Sequence, residues 1–145
     1  MPERTCLATA VDLLARREHS KRELREKLIR KGYDADETDE VIKRLVGDNL
    51  LSDERFAESY TRGRAGRGYG PTRIVQELRQ KGVSDTIARA AVAEAEDDWI
   101  TVALRVYRKK FSGIPKDFRD RSKRINFLRY KGFSMDLIAQ VMDQN

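Results

Sequence analysis

The sequence predicts an all-α protein made of three tandem three-helix repeats, and three observations predict it. Charged residues make up 37% of the 145 positions and apolar residues 39%, with only nine Gly and three Pro. That mixture favours helix and gives a sheet little to use. Lys31-Gly32, Lys81-Gly82 and Lys131-Gly132 recur 50 residues apart, and Leu28, Leu78 and Leu128 keep the same step. A mean hydropathy of −0.70 argues against one thick core and for several thin ones, each under a few helices. Repeats of this kind contact mainly their neighbours, so the array is expected to be elongated.

Each element has a local reason. Helices are expected near 4–18, 20–31 and 35–46, then 53–66, 71–81 and 84–94, then 96–111, 117–131 and 134–143. These make units of 1–50, 51–95 and 96–145. The first helix carries Cys6 in its apolar pattern. The second opens on Ser20-Lys21-Arg22-Glu23, which reads as a capping box ahead of Leu24, Leu28 and Ile29. The acidic cluster Asp34, Asp36, Glu37, Asp39 and Glu40 suits the positive start of the third. Ser52-Asp53-Glu54 opens the fourth, with Phe56, Ala57 and Tyr60 on its apolar side. Gly70-Pro71 places proline at the first position of the fifth, ahead of Ile74, Val75 and Leu78. Ser84-Asp85 and Ser134 are N-cap candidates for the sixth and ninth. At each Lys-Gly, the glycine can take the left-handed conformation that ends a helix, and the next residue (Tyr33, Val83 or Phe133) can fold back onto the last turn. The third unit departs from the pattern. Arg124 stands where Leu24 and Ile74 stand, the apolar face moves to Ile125, Phe127 and Leu128, and a longer link holds Gly113 and Pro115.

Several function classes are disfavoured. No apolar run approaches the ~20 residues of a membrane span, the start lacks a signal peptide's apolar stretch, and the single Cys6 has no internal partner, so a cytoplasmic protein is expected. His19 is the only histidine; with no second histidine or cysteine to complete a metal site, a turn or capping role is expected. Gly66, Gly68 and Gly70 could be mistaken for a phosphate loop, but the preceding Phe56, Ala57 and Tyr60 form a helical pattern and not a strand. A flexible basic connection with Tyr69 projecting is the expectation. No catalytic residue, cofactor or metal follows from the sequence.

Charge is the informative property. The net of +6 divides as 0 over residues 1–50, −1 over 51–100 and +7 over 101–145. Glu23 with Lys27, Glu26 with Arg30 and Glu77 with Lys81 stand at i, i+4 and are expected to pair. Other cations lack a nearby acid in sequence: Arg62, Arg64 and Arg67; Arg105, Arg108, Lys109 and Lys110; and Lys123, Arg129 and Lys131. Arg121 and Arg124 have Asp117 and Asp120. Arg73, Tyr69, Tyr107 and Tyr130 lie among these basics, which suits stacking or interface contact. The candidate binding set is Arg62, Arg64, Arg67, Tyr69, Arg73, Arg105, Arg108, Lys109, Lys110, Lys123, Arg129 and Lys131.

A short connection from second to third helix also fits a helix-turn-helix transcription factor. Against it, Asp34 to Glu40 opens one third helix and Ala88-Arg89-Ala90-Ala91-Val92-Ala93 fills another, neither offering side chains that read base edges. A plain single-strand DNA binder is the other alternative.

The residues resemble the RecX regulatory proteins of bacteria, from about Ala8 to Met142. The resemblance rests on Arg17-Glu18-His19-Ser20, Glu23-Leu24, Lys27-Leu28 and Lys31-Gly32 in the first unit. In the second it rests on Leu51-Ser52-Asp53-Glu54-Arg55-Phe56-Ala57, Tyr60, Arg64, Gly70-Pro71, Arg73-Ile74, Glu77-Leu78 and Lys81-Gly82. In the third it rests on Lys109-Lys110-Phe111, Phe127-Leu128 and Lys131-Gly132-Phe133. The resemblance implies a curved, elongated array of three-helix repeats that binds the RecA recombinase and its filament on single-stranded DNA. It further implies inhibition of filament growth, strand exchange, ATPase and coprotease activity, with direct DNA contact as a further expectation. The resemblance carries over no catalytic residues, and a monomer is the default expectation.

Overall fold

The computed structural model describes residues 3–95 and 98–144, which form nine helices and no strand. They are α1 (Cys6–Arg16), α2 (Lys21–Arg30), α3 (Ala35–Gly47), α4 (Asp53–Gly66), α5 (Pro71–Gln80), α6 (Asp85–Ala93), α7 (Trp99–Lys110), α8 (Phe118–Lys131) and α9 (Met135–Asp143). The expected start of the seventh helix, at 96, lies outside the described residues.

The caps follow the sequence signals. Ser20, Ser52, Ser84 and Ser134 each accept a backbone N–H from the first turn of the helix they precede. The capping box at Ser20 is only half made. Ser20 Oγ accepts from Glu23 N at 3.1 Å, but the Glu23 carboxylate turns away to a two-pronged bond with Arg17, at 3.0 and 2.8 Å. The two Arg17 N–H groups give a stronger, charge-assisted contact than one backbone N–H. Gly32, Gly82 and Gly132 hold φ of 102°, 89° and 105°, and the residue after each donates back to Leu28, Leu78 or Leu128 O. All three helix ends are therefore the same left-handed cap.

Each unit has its own core. Cys6, Ala10, Leu24, Leu28, Tyr33, Leu45 and Leu51 fill the first. Phe56, Ile74, Val75, Leu78 and Val83 form the second with Ala57, Ala88 and Ala91. The third is built on Val102, Tyr107, Leu128, Phe133, Ile138 and Val141. Tyr107, which lies among basic residues in sequence but outside the candidate binding set, is buried here with 2% of its surface exposed. Trp99 packs against both the second and third cores.

The units join through the ends of their second helices. Ser20 Oγ donates to Lys81 O at 2.8 Å, and Lys21 N donates to the buried Asp53 carboxylate at 2.8 Å. One repeat later, Gly70 N donates to Lys131 O at 2.7 Å and Thr72 N to Gly132 O at 3.1 Å. At both joints the free N–H end of one helix meets the free carbonyl end of another, which satisfies groups that a helix leaves unpaired and aligns their dipoles. The row runs α8, α5, α2, opposite to chain order. The glycine segment 66–70 is consequently not a flexible connection. Gly68, at φ 88°, packs against Val106, and a Cβ on Gly70 would stand 2.5 Å from Gly132 O. Only the missing side chain lets the two units approach that closely.

Arg124 resolves the broken symmetry of the third unit. It is 5% exposed and pairs with Asp120 at 3.1 Å. It also donates to Tyr107 Oη at 2.9 Å, Gly113 O at 2.8 Å and Ser112 O at 3.4 Å. A buried guanidinium is tolerated because its donors are matched.

Candidate functional site

Where α4 ends against α7 and α8, a cleft of about 560 Å³ opens between the second and third units. Its cations come from three elements. Arg67 caps α4, Arg105, Lys109 and Lys110 project from the second half of α7, and Lys131 ends α8. Arg105 and Lys109 are four residues apart and so share one helix face. The floor is apolar, from Gly68, Val106 and Phe127. Lys110 Nζ lies 4.7 Å from the Phe127 ring centre, and Lys131 Nζ lies 3.9 Å from that of Tyr69, geometries in which ring faces favour a cation. Arg105 spends one N–H on Ala65 O at 3.0 Å, closing the end of α4 and fixing the guanidinium at the cleft wall.

Five cations around one concavity repel each other and attract phosphate. Among the described residues, no carboxylate lines this cleft, and no group of three or more His, Cys, Asp or Glu is placed to hold a metal ion. The chemistry on offer is electrostatic: a chain of phosphates can displace counterions there, with an apolar ring available for a base.

Models of the first, second and third three-helix domains of RecX match residues 6–45, 52–92 and 96–142. The chain belongs to the RecX family. Regulatory protein RecX of Halorhodospira halophila is 43% identical over 130 residues, 89% of this chain and 81% of that one. Its counterpart in Vibrio vulnificus is 40% identical over 142 residues, 97% of this chain and 93% of that one. The crystal structure of RecX from Lactobacillus salivarius superimposes with a TM-score of 0.81 at 26% identity, covering 96% of this chain and 93% of the other.

In this RecX-family chain the twelve residues expected to bind divide into three groups. Arg67, Arg105, Lys109, Lys110 and Lys131 meet in the cleft. Arg64, Tyr69 and Arg73 belong to a packed joint beside it. Arg64 forms a two-pronged bond to Glu77, at 2.9 and 2.8 Å, and stacks 3.8 Å from the Tyr69 ring centre. Arg73 also reaches Glu77 at 3.3 Å and donates to Tyr130 O at 3.1 Å. Arg64 had no acid near it in sequence, but packing of α4 on α5 brings Glu77 to it, so Glu77 is not held by Lys81 as the helical spacing suggests. Burial works against the Glu77 carboxylate, yet donors from Arg64, Tyr60 and Arg73 outweigh it and hold its pKa below the ordinary range. Tyr60 shows the converse: burial and the Glu77 carboxylate push its phenol up to about 12.

The remaining four lie outside the cleft. Arg62 and Lys123 are exposed on α4 and α8, and Arg108 is exposed on α7. Arg129 faces a separate shallow groove with Thr72, Gln76 and Tyr130. Two other expected pairs also change partner. Glu23 is taken by Arg17 and Glu26 by Arg22 at 3.5 Å. Asp120 does meet Arg124. Sequence reasoning missed Phe127 and Val106 as cleft floor, because each sits in a helical apolar pattern that reads as core.

Proposed function

We propose that this chain is a negative regulator of the RecA recombinase. It binds RecA and its filament on single-stranded DNA, and restrains filament growth, strand exchange, ATP hydrolysis and coprotease activity. The observation that carries the reading is family membership along all three units, and the five-cation cleft supplies a place for a phosphate backbone. No covalent chemistry is required. A row of three units that fits one state of a nucleoprotein filament stabilises that state by mass action. Arg67, Arg105, Lys109, Lys110 and Lys131 contact phosphate directly in this scheme. Arg64, Tyr69 and Arg73 keep the second and third units at the angle the cleft needs.

RecA's single-strand-dependent ATP hydrolysis, with this protein titrated in at moderate salt, tests the reading. Inhibition is expected well below one protein per RecA, since each copy acts on several protomers or on a filament end. No effect at excess overturns it. Binding to single strands with a steep salt slope and no effect on RecA would leave a plain DNA binder. A preferred duplex site would make it a transcription factor instead.

A further inference from the structure

The connection between α7 and α8, with the first residue of α8, carries the two most exposed large apolar side chains among the described residues. It runs seven residues, 111–117, where the other connections inside units take three or four. It is nevertheless pinned. Arg124 holds Gly113 O and Ser112 O from below, and Lys116 N donates to Asp120 at 3.0 Å. Phe111 packs its ring 5.5 Å from that of Phe127. From this braced segment Ile114 and Phe118 stand 76% and 83% exposed, the most exposed large apolar side chains among the described residues.

Nothing in the fold gains from that placement. An apolar side chain left in water contributes no burial, whereas a rigid one costs little entropy when a partner covers it. Large apolar anchors of this kind are what carry the energy of protein interfaces.

The local charge indicates which partner. Between residues 99 and 135 the chain holds eleven basic residues and only two acidic ones, Asp117 and Asp120. Both acids fall in the segment that carries the anchor, so residues 112–120 balance Lys116 and Arg119 against Asp117 and Asp120. Between residues 99 and 135 this tip is the one stretch in which acids balance the basic residues. A nucleic-acid strand would be drawn to the cations elsewhere and find no net positive charge in this stretch, and an isoleucine has no flat face for a base. A protein interface, by contrast, is depleted of charge at its core.

We propose that Ile114 and Phe118 are a preorganised anchor that enters an apolar pocket on a protein partner, while the cleft between the second and third units holds phosphate. The two elements read a nucleoprotein together. This assignment rests on the RecA reading above, with the partner pocket lying on the protein part of the filament.

The test compares affinity for RecA filaments formed on poly(dT) with affinity for naked poly(dT). The proteins are the wild type and the double variant Ile114→Ser, Phe118→Ser. Both positions face solvent, so the variant should keep its helix content and melting temperature. Filament affinity is expected to fall at least tenfold, with naked-strand affinity unchanged within twofold. Phe118→Leu, which keeps the apolar surface, should retain most of the filament affinity. Equal filament affinity of wild type and double variant overturns the anchor while leaving the RecA reading intact. A matching loss on naked poly(dT) also overturns it, by making the tip a nucleic-acid contact. So does concentration-dependent dimerisation of the wild type that the double variant loses. Failure of the wild type to bind filaments removes the RecA reading and the anchor together.

Discussion

His19 shows how one side chain can bind a joint to the solution around it. It is 2% exposed, with Nδ1 3.0 Å from Arg17 O and Nε2 3.0 Å from Lys27 Nζ. A carbonyl can only accept and an ammonium can only donate, so Nδ1 carries the proton and the ring is neutral. Burial lowers its pKa; the bond to the Arg17 carbonyl opposes this, the charges of Arg17 and Lys27 add to the lowering, and Glu23 pulls weakly the other way. The sign follows from linkage. The unfolded chain takes up a proton near the ordinary value of 6.5 while the folded one resists. The stability contributed is complete above that pH and is lost as pH falls through the lowered value. The melting temperature should drop as the pH falls below the ordinary imidazole value of 6.5, and His19→Gln should flatten that drop. A pH profile identical in wild type and variant would show that other groups govern it. Arg124 makes the complementary point, since a residue that breaks the repeat pattern is kept by five matched hydrogen-bond contacts.

At the scale of elements, the joints between units differ in material. The first joint is made by side chains: Ser20 on Lys81 O, Asp53 on Lys21 N, and Arg55 on Glu18 at 2.9 Å. The second is largely backbone on backbone, at Gly70 and Thr72, and Trp99 bridges its two cores. Gly70→Ala tests how much depends on that contact. The added Cβ would stand 2.5 Å from Gly132 O and 2.8 Å from Phe133 Cδ1, neither of which can yield without separating α5 from α8. Overpacking of this order costs about 1–3 kcal/mol, read as a lower urea midpoint with faster amide exchange at Gly70 and Thr72. A midpoint unchanged from wild type would mean that the joint is loose in solution.

For the whole molecule, the uneven charge becomes a directional field. The final third carries +7, and the cleft concentrates five of the basic residues at one junction. Lys109→Glu with Lys110→Glu should weaken binding to single-stranded DNA roughly tenfold or more. It should also flatten the dependence of log K on log salt by about 1.4, from two phosphate contacts at ~0.7 each. An unchanged slope would place the strand elsewhere. Arg64 is unsuited to such a test. Its reversal would set two carboxylates against each other at Glu77 and unpack the Tyr69 ring, so a loss of binding would report the joint and not the surface.

The sequence by itself determined the helices, their caps and the threefold plan, because these depend on neighbours within a few residues: a serine before a turn, a glycine after one, leucines 50 residues apart. It also determined which third of the chain carries the excess positive charge, since net charge needs no geometry. Partners were another matter. Arg64 finds Glu77 thirteen residues away, Ser20 finds Lys81 across 61, and Gly70 finds Lys131, distances over which sequence spacing carries no information. Only the packing of α4 on α5, and of α5 on α8, decided which cations are spent inside the molecule and which five face a common cleft. The same holds for Phe127 and Phe118. Both are aromatic residues in α8, and only the fold sets one in the cleft floor and leaves the other in water.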